Sequence, residues 1–320
     1  MAEAAKAEAK AAAPDEDEAG REASATHCGF VAVLGAPNVG KSTLVNALVG
    51  AKVSIVSPKV QTTRTRVLGI AIMDKSQLVL VDTPGIFAPR RRLDRAMVAA
   101  AWQGAKEGDL VALVADAARG LDEDTRRIVD QLKASGRKAI LVLNKIDRVK
   151  KPSLLKLADE LNQRGVFEES FMISALSGDG VADLGAHLAA RLPEGPWLYP
   201  PDQLSDLPLR LLAAELVREQ VFIQLRQEVP YASAVDVESW EEFENGSAKV
   251  SAAIYVERES QRAIVLGKGG ARIKAIGTEA RRELAELLGR PVHLMLHVKV
   301  AADWQERREL YKALRLDFDS

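Results

Sequence analysis

The chain has 320 residues, 47% of them hydrophobic and 28% charged, with a formal net charge of −1. That length suits two domains, and the near-zero charge gives no global sign of nucleic-acid binding, so any such claim must rest on local patches. Cys28 is the one cysteine, which excludes an intrachain disulfide, and no apolar run reaches the roughly 18 residues that span a bilayer, so a soluble cytoplasmic protein is expected.

Residues 1–25 are rich in Ala and acidic side chains and poor in bulky apolar ones. Such a segment cannot form a packed core, and it matches neither a secretory signal nor a mitochondrial presequence. A disordered or transiently helical tail is predicted. From Phe30 the pattern alternates. Strand-like apolar runs fall at 30–34, 77–81, 110–115, 138–143 and 170–173, with amphipathic stretches at 123–134, 153–163 and 181–191. This alternation predicts βαβ units, and therefore an α/β domain over 26–192 with a mostly parallel sheet. Ligands of such sheets bind beyond the carboxyl ends of the strands.

Three motifs sit at those ends. The first run is followed by Gly35-Ala36-Pro37-Asn38-Val39-Gly40-Lys41-Ser42-Thr43, which fits the phosphate-loop spacing G-x-x-x-x-G-K-[ST] and opens a helix over Thr43–Val49. Its glycines let backbone N–H groups wrap phosphates while the helix adds its positive end. Lys41 is expected on the β and γ phosphates and Ser42 on magnesium. Asp82, at the end of the second run, is expected to reach the same metal, and Gly85 to offer its N–H to the γ phosphate. Asn144-Lys145-Ile146-Asp147 follows the fourth run. A carboxylate such as Asp147 accepts hydrogen bonds from guanine N1–H and its exocyclic amine, whereas adenine leaves it unpaired. Backbone N–H groups of Ser174-Ala175 are expected at the guanine oxygen. GTP and GDP, not adenine nucleotides, are the predicted ligands.

The alternation stops near Leu192. Residues 193–208 contain five prolines and one glycine and are predicted to be a stiff linker. In the second domain, 209–320, Ile264-Val265-Leu266 leads into Gly267-Lys268-Gly269-Gly270. An amphipathic helix follows, with Ile273, Ile276, Ala280, Leu284, Leu287 and Leu288 on one stripe, and then a strand alternating over 292–300. A Gly-x-x-Gly turn ahead of a helix is how a KH module clamps about four nucleotides of single-stranded RNA. Arg262, Lys268, Arg272, Lys274, Arg281 and Arg282 surround it, with Glu279 the sole acidic residue between Arg262 and Arg282. RNA is therefore expected on Arg262, Gly267, Lys268, Gly269, Gly270, Arg272 and Lys274. His293 and His297 are four positions apart on one strand, about 13 Å, too far to share a metal ion.

These motifs resemble the TRAFAC class of translation-related GTPases. The resemblance implies that Lys59-Val60-Gln61-Thr62-Thr63-Arg64-Thr65 is the first switch, with Thr63 rather than Thr62 closing over magnesium. Lys41, Thr63, Gly85 and Asn38 are then the catalytic set. Ile86 follows Asp82-Thr83-Pro84-Gly85 where many GTPases place the glutamine that orients water, so intrinsic hydrolysis is expected to be slow and dependent on a partner or ion. Asn38 resembles the asparagine that binds potassium in related GTPases. Arg90-Arg91-Arg92 read as a solvated surface rather than as an arginine finger.

A GTPase domain joined to a small α+β KH domain of type II resembles the Era family, from Phe30 to about Tyr311. Quoted on this sequence, the match includes Glu228-Val229-Pro230-Tyr231, Val256-Glu257-Arg258-Glu259-Ser260-Gln261 and Pro291-Val292-His293-Leu294. The resemblance implies a monomer that binds 16S rRNA near its 3′ end and assists assembly of the small, 30S ribosomal subunit. It also implies peripheral contact with the inner membrane, for which the sequence offers no amphipathic anchor. Two alternatives stay open: a signalling GTPase whose KH-like module docks proteins or membranes, and an RNA-binding module with a purely structural nucleotide.

Overall fold

The computed structural model describes residues 25–59, 61–225, 228–306, 308, 311 and 314–319. The predicted tail lies, except for Ala25, outside them. The first half contains β1 (His27–Leu34), α1 (Lys41–Val49), β2 (Val67–Met73), β3 (Ser76–Asp82), α2 (Arg92–Glu107), β4 (Leu110–Asp116), α3 (Glu123–Ala134), β5 (Ala139–Asn144), α4 (Lys151–Asn162), β6 (Phe167–Met172) and α5 (Val181–Ala190). Its six strands lie in the order β2-β3-β1-β4-β5-β6, parallel except where β2 runs antiparallel to β3.

The strands are continuous apolar runs because both faces of the sheet are covered. Along β1, Val31 and Val33 enter one core with Leu44, Leu48 and Leu184, while Ala32 and Leu34 enter the other with Ile128, Leu132 and Leu161. The Asp122 carboxylate caps α3 by accepting the Thr125 N–H at 2.8 Å. Two elements, β2 and α2, are absent from the predicted set. The strand β2 is an edge strand joined to β3 by the two-residue turn Asp74-Lys75, with Asp74 at φ 52.

The proline-rich segment expected as a linker is also a strap pinned to the sheet. Trp197 and Tyr199 pack on Cys28, Leu68, Val79 and Val81. Gln77, buried in β3, accepts the Leu198 and Tyr199 N–H groups at 2.9 and 3.0 Å and donates to the Tyr199 carbonyl at 2.8 Å. Further along, the Leu204 carbonyl accepts the Ile70 N–H at 2.9 Å, covering part of the β2 edge.

The second half runs α6 (Leu209–Gln224), β7 (Ser233–Glu242), β8 (Ala248–Val256), α7 (Glu259–Leu266), α8 (Ala271–Leu288) and β9 (Val292–Val300). The order α-β-β-α-α-β is the type II KH arrangement. Strands β7 and β8 form an antiparallel hairpin around Asn245-Gly246, and β9 pairs in parallel with β8. Helix α8 buries Ile276, Ala280 and Leu284 as its spacing predicts, but Leu287 is 40% exposed and lies outside the buried stripe. The apolar run before the glycine turn is the short helix α7.

The halves share packed surfaces. Ile55, between α1 and β2, lies in the KH core with Ala213, Leu216 and Val250. Leu93 and Met97 of α2 pack with Trp304, Tyr311 and Leu316. Among the described residues, no helix is long and apolar enough to cross a membrane.

Candidate functional site

A cavity of about 600 Å³ opens at the carboxyl ends of the parallel strands, lined by all three motifs. Its floor is the loop between β1 and α1. Gly40 has φ +98, and a Cβ there would lie 2.3 Å from Asn144 Nδ2, so the position accepts only glycine. Lys41 begins α1 and is buried. Its Nζ donates to the Gly35 and Ala36 carbonyls at 3.1 and 3.0 Å, which holds it across the loop. Burial pushes the Lys41 ammonium down to about 8, against the opposing pull of Asp82.

Beside it three oxygens converge. Ser42 Oγ donates to Asp82 Oδ2 at 2.7 Å, and Thr63 Oγ1 lies 2.8 Å from Ser42 Oγ and 3.5 Å from Asp82 Oδ2. Asp82 is 0% exposed, and its Oδ1 has no hydrogen-bond partner. Burial raises its pKa, opposed by the bond from Ser42 and the charge of Lys41. An orphaned carboxylate oxygen beside two hydroxyls is a donor set that suits a hard divalent cation such as magnesium. Thr62 turns away: its Oγ1 donates to the Lys59 carbonyl at 2.8 Å and lies 2.7 Å from Ser57 Oγ.

Asn144, at the end of β5, works as a staple between loops of the cavity. Its Nδ2 donates to the Val39 carbonyl at 2.8 Å, while Oδ1 accepts the Lys145 N–H at 2.8 Å and the Ala175 N–H at 2.9 Å. The Ala175 N–H expected at the guanine oxygen is thus committed within the protein, as is that of Ser174, which donates to the Asp179 carbonyl at 2.9 Å. Both residues still line the cavity, as does Asp147 at its rim. Lys145 arches over the phosphate loop, its Nζ 2.6 Å from both the Asn38 carbonyl and Asp116 Oδ2.

Sequence reasoning missed Asp116, Arg119 and Leu176. Asp116 ends β4 at the carboxyl edge, where the strand rule could have flagged it; it orients Lys145 and lies 3.7 Å from Arg119. Arg119 donates to the Pro37 carbonyl at 3.0 Å. Leu176 is 79% exposed on the cavity rim, an apolar side chain beside the space for a flat base. Ile86 is buried in the core with Leu34 and Leu113 and does not line the cavity. Asn38, at φ 63, donates from Nδ2 to the Pro58 carbonyl at 2.9 Å, bringing the phosphate loop to the flank of the switch. Arg90 and Arg91 are exposed, as the surface reading requires. Arg92 departs from it, lying 3.3 Å from Glu306 with its guanidinium 4.5 Å from the Phe318 ring centroid.

On the second half a groove of about 420 Å³ runs between α8 and β9, lined by Ile273, Lys274, Gly277, Thr278, Arg281, His293 and Met295 among others. The glycine turn stands at the N-terminus of α8. Gly267 has φ +69, and a Cβ there would meet Arg272 Cβ at 2.7 Å. Among the described residues no ion pair engages Lys268, Arg272, Lys274 or Arg281, whereas Arg262 pairs with Glu259 and Arg282 with Glu279 and Glu286. The basic stripe is therefore shorter than the sequence suggests, because helical spacing brings carboxylates to both its ends. His293 meets Phe243 edge-on at 6.4 Å, and His297 Nε2 lies 2.7 Å from Glu238.

Residues 30–145 match a family described as 50S ribosome-binding GTPases, and residues 228–305 match the KH domain family. The GTPase Era of Afipia carboxidovorans is 58% identical over 93% of this chain and 96% of its own length. This chain belongs to the GTPase Era family. That of Sinorhizobium medicae is 57% identical over 92% of the chain and 94% of its own. Two solved Era structures, each 41% identical with a TM-score of 0.86, cover 90% of this Era-family chain. One, 98% covered in return, is Era with MgGDPNP and nucleotides 1506–1542 of 16S ribosomal RNA; the other, 99% covered, is an Aquifex aeolicus Era variant bound to GDP and AlF4−. The chain is thus a GTPase that carries a KH domain, and GTP, GDP and magnesium are the ligands its cavity is shaped to hold.

Proposed function

We propose that this GTPase binds the 3′ region of 16S rRNA through the groove beside Gly267–Gly270 and assists assembly of the 30S subunit in the cytoplasm, with the nucleotide as its switch. The observation that carries the reading is the set of four cations, Lys268, Arg272, Lys274 and Arg281, that have no ion-pair partner among the described residues and surround a glycine turn and a groove of about 420 Å³. The solved relative with a 16S rRNA segment supports the choice of RNA.

In the catalytic step, water attacks the γ phosphorus and the bond to the GDP oxygen breaks. Lys41 leaves its two loop carbonyls for the β and γ phosphates, Gly85 lends its N–H to the γ phosphate, and Asp147 reads the guanine edge. Ser42, Thr63 and Asp82 would hold magnesium, which supplies charge neutralisation at the phosphates. Ile86 leaves the attacking water without a side-chain partner in this loop, which predicts slow turnover. Asn38, at the mouth of the loop, would offer its side-chain oxygen to potassium as the compensating charge once its amide leaves the Pro58 carbonyl. GTP holds the switch in the form that permits RNA binding, and hydrolysis releases it.

RNA crosslinking in cells tests the reading, comparing GTP-locked with nucleotide-free protein. The expected result is enrichment of the 16S 3′ region that is lost when Lys268 and Gly269 are both replaced by Asp. Equal capture by that variant would favour the signalling alternative. Exchanging potassium for sodium should slow phosphate release, and an unchanged rate would remove the potassium site.

A further inference from the structure

The first switch is gripped from the KH half on both sides of Thr63. Arg64, 2% exposed, is among the largest fully buried side chains. Its Nη1 donates to the Ser233 carbonyl at 2.7 Å, and its Nη2 lies 3.3 and 3.4 Å from the Pro230 and Tyr231 carbonyls. The guanidinium is placed 5.6 Å from the Phe222 ring centroid and 5.8 Å from that of Trp304. On the other side the Thr62 carbonyl accepts from Arg218 of α6, whose fork is held by buried Glu215. Thr65 Oγ1 donates to the Leu314 carbonyl at 2.6 Å. Thr62 and Thr63 both line the nucleotide cavity, but it is the Thr63 hydroxyl that meets Ser42 and Asp82, while that of Thr62 bonds to Ser57 and Lys59.

Among the described residues the buried guanidinium hydrogen-bonds carbonyls but no carboxylate, with Glu215 and Asp94 acting on it only through their charge, and its Nε has no hydrogen-bond partner; that is a costly way to stabilise an interface. What such a cage gives is position. The forked donors fit the carbonyls of 230–233 in one orientation, which fixes the next peptide back, that of Thr63. We propose that Arg64 and Arg218 are positioning residues for GTP turnover, through which the KH half sets the placement of Thr63 and so completes the GTPase site in cis. A displacement of about 1 Å at a reacting group can cost about a hundredfold in rate, so a change of that size in the placement of Thr63 is enough to switch hydrolysis.

The inference rests on Thr63 as the magnesium-side threonine, and the full-length chain tests both without RNA. We would measure kcat and KM for GTP, the magnesium concentration at half-maximal rate, and GDP affinity. Thr63→Ala tests the underlying reading: an unchanged magnesium midpoint in that variant would sink the role of Thr63 itself. With Thr63 upheld, Arg64→Ala is expected to lower kcat by about tenfold or more and to raise the magnesium midpoint, with GDP affinity within about twofold of the parent. Arg218→Lys, which keeps the charge beside Glu215 and loses the forked reach to the Thr62 carbonyl, should shift the same two quantities in the same direction, and it decides the matter if Arg64→Ala does not fold. Folded variants with parental kcat and magnesium midpoint would overturn the proposal. So would a loss of GDP affinity equal to the loss of kcat, which would mark general damage to the site.

Discussion

Lys41 and Lys268 each stand at a glycine-rich turn that opens a helix, yet their surroundings differ in kind. Lys41 is buried, held on two loop carbonyls, and shifted by desolvation. Lys268 is exposed on an open turn with no ion pair among the described residues. The first half surrounds its ligand with polar groups that are buried and nearly all satisfied, so each substitution there should act sharply and specifically. The second half offers a shallow surface whose charges stay hydrated, so its effects should be graded and sensitive to salt. A preorganised pocket suits one small ligand, whereas an open groove suits a chain that approaches with its own charges.

The largest effect expected from this contrast is at Lys41. Lys41→Ala should abolish multiple-turnover phosphate release, while RNA affinity of the nucleotide-free protein stays within about twofold, since the groove lies on the other half. Parallel losses of both would show that the two surfaces are one cooperative unit. Next in size, Asp147→Asn should shift preference from GTP to xanthosine triphosphate by about a hundredfold or more in competition binding, because the new amide repels the guanine donors. Unchanged GTP affinity would remove the guanine assignment.

A smaller and graded response is expected in the groove. Replacing Lys268 and Arg272 by Gln should weaken single-stranded RNA binding and reduce the slope of log affinity against log salt by about 1.4, or about 0.7 per lost phosphate contact. KM for GTP should not move. A salt slope equal to the parent's would place the RNA elsewhere. The smallest effect concerns pH. In the ligand-free protein burial holds Lys41 at about 8, whereas bound phosphates favour its charged form. Binding therefore takes up a proton above pH 8, so GDP affinity should be flat below 8 and fall as pH rises beyond it, approaching about tenfold per unit. Titrations from pH 7 to 9.5 would show this, and a flat profile would mean that Lys41 stays charged throughout.

The nucleotide site was largely legible from sequence because its parts are local. A phosphate loop is a run of backbone amides between a strand and a helix, and its spacing survives in the residues. The same holds for Asp147 and for Asp82, each a few residues beyond a readable apolar run. Less legible was the work of Asn144, whose amide staples Val39 and Ala175 from 105 and 31 residues away. Such cross-ties leave no periodicity. The strand β2 escaped for a related reason: its antiparallel pairing with β3 breaks the βαβ alternation and depends on the turn Asp74-Lys75.

What the sequence alone determined is the inventory: a parallel-sheet domain with guanine chemistry, then a glycine turn, an amphipathic helix and a half-buried strand. Those features follow from backbone geometry and from the 2 and 3.6 residue periods, both of which are local. The tertiary structure decided how the pieces are joined. Residues 193–208 read as a linker because prolines remove backbone donors, but only the buried Gln77 side chain shows where that segment is tied. Nothing in the run Thr62-Thr63-Arg64-Thr65 records that Arg64 is buried, and only packing between Phe222, Trp304 and three distant carbonyls fixes its place beside Thr63. The physical reason is the same in both cases: a buried polar group takes its meaning from partners far away in the chain, and no local pattern records them.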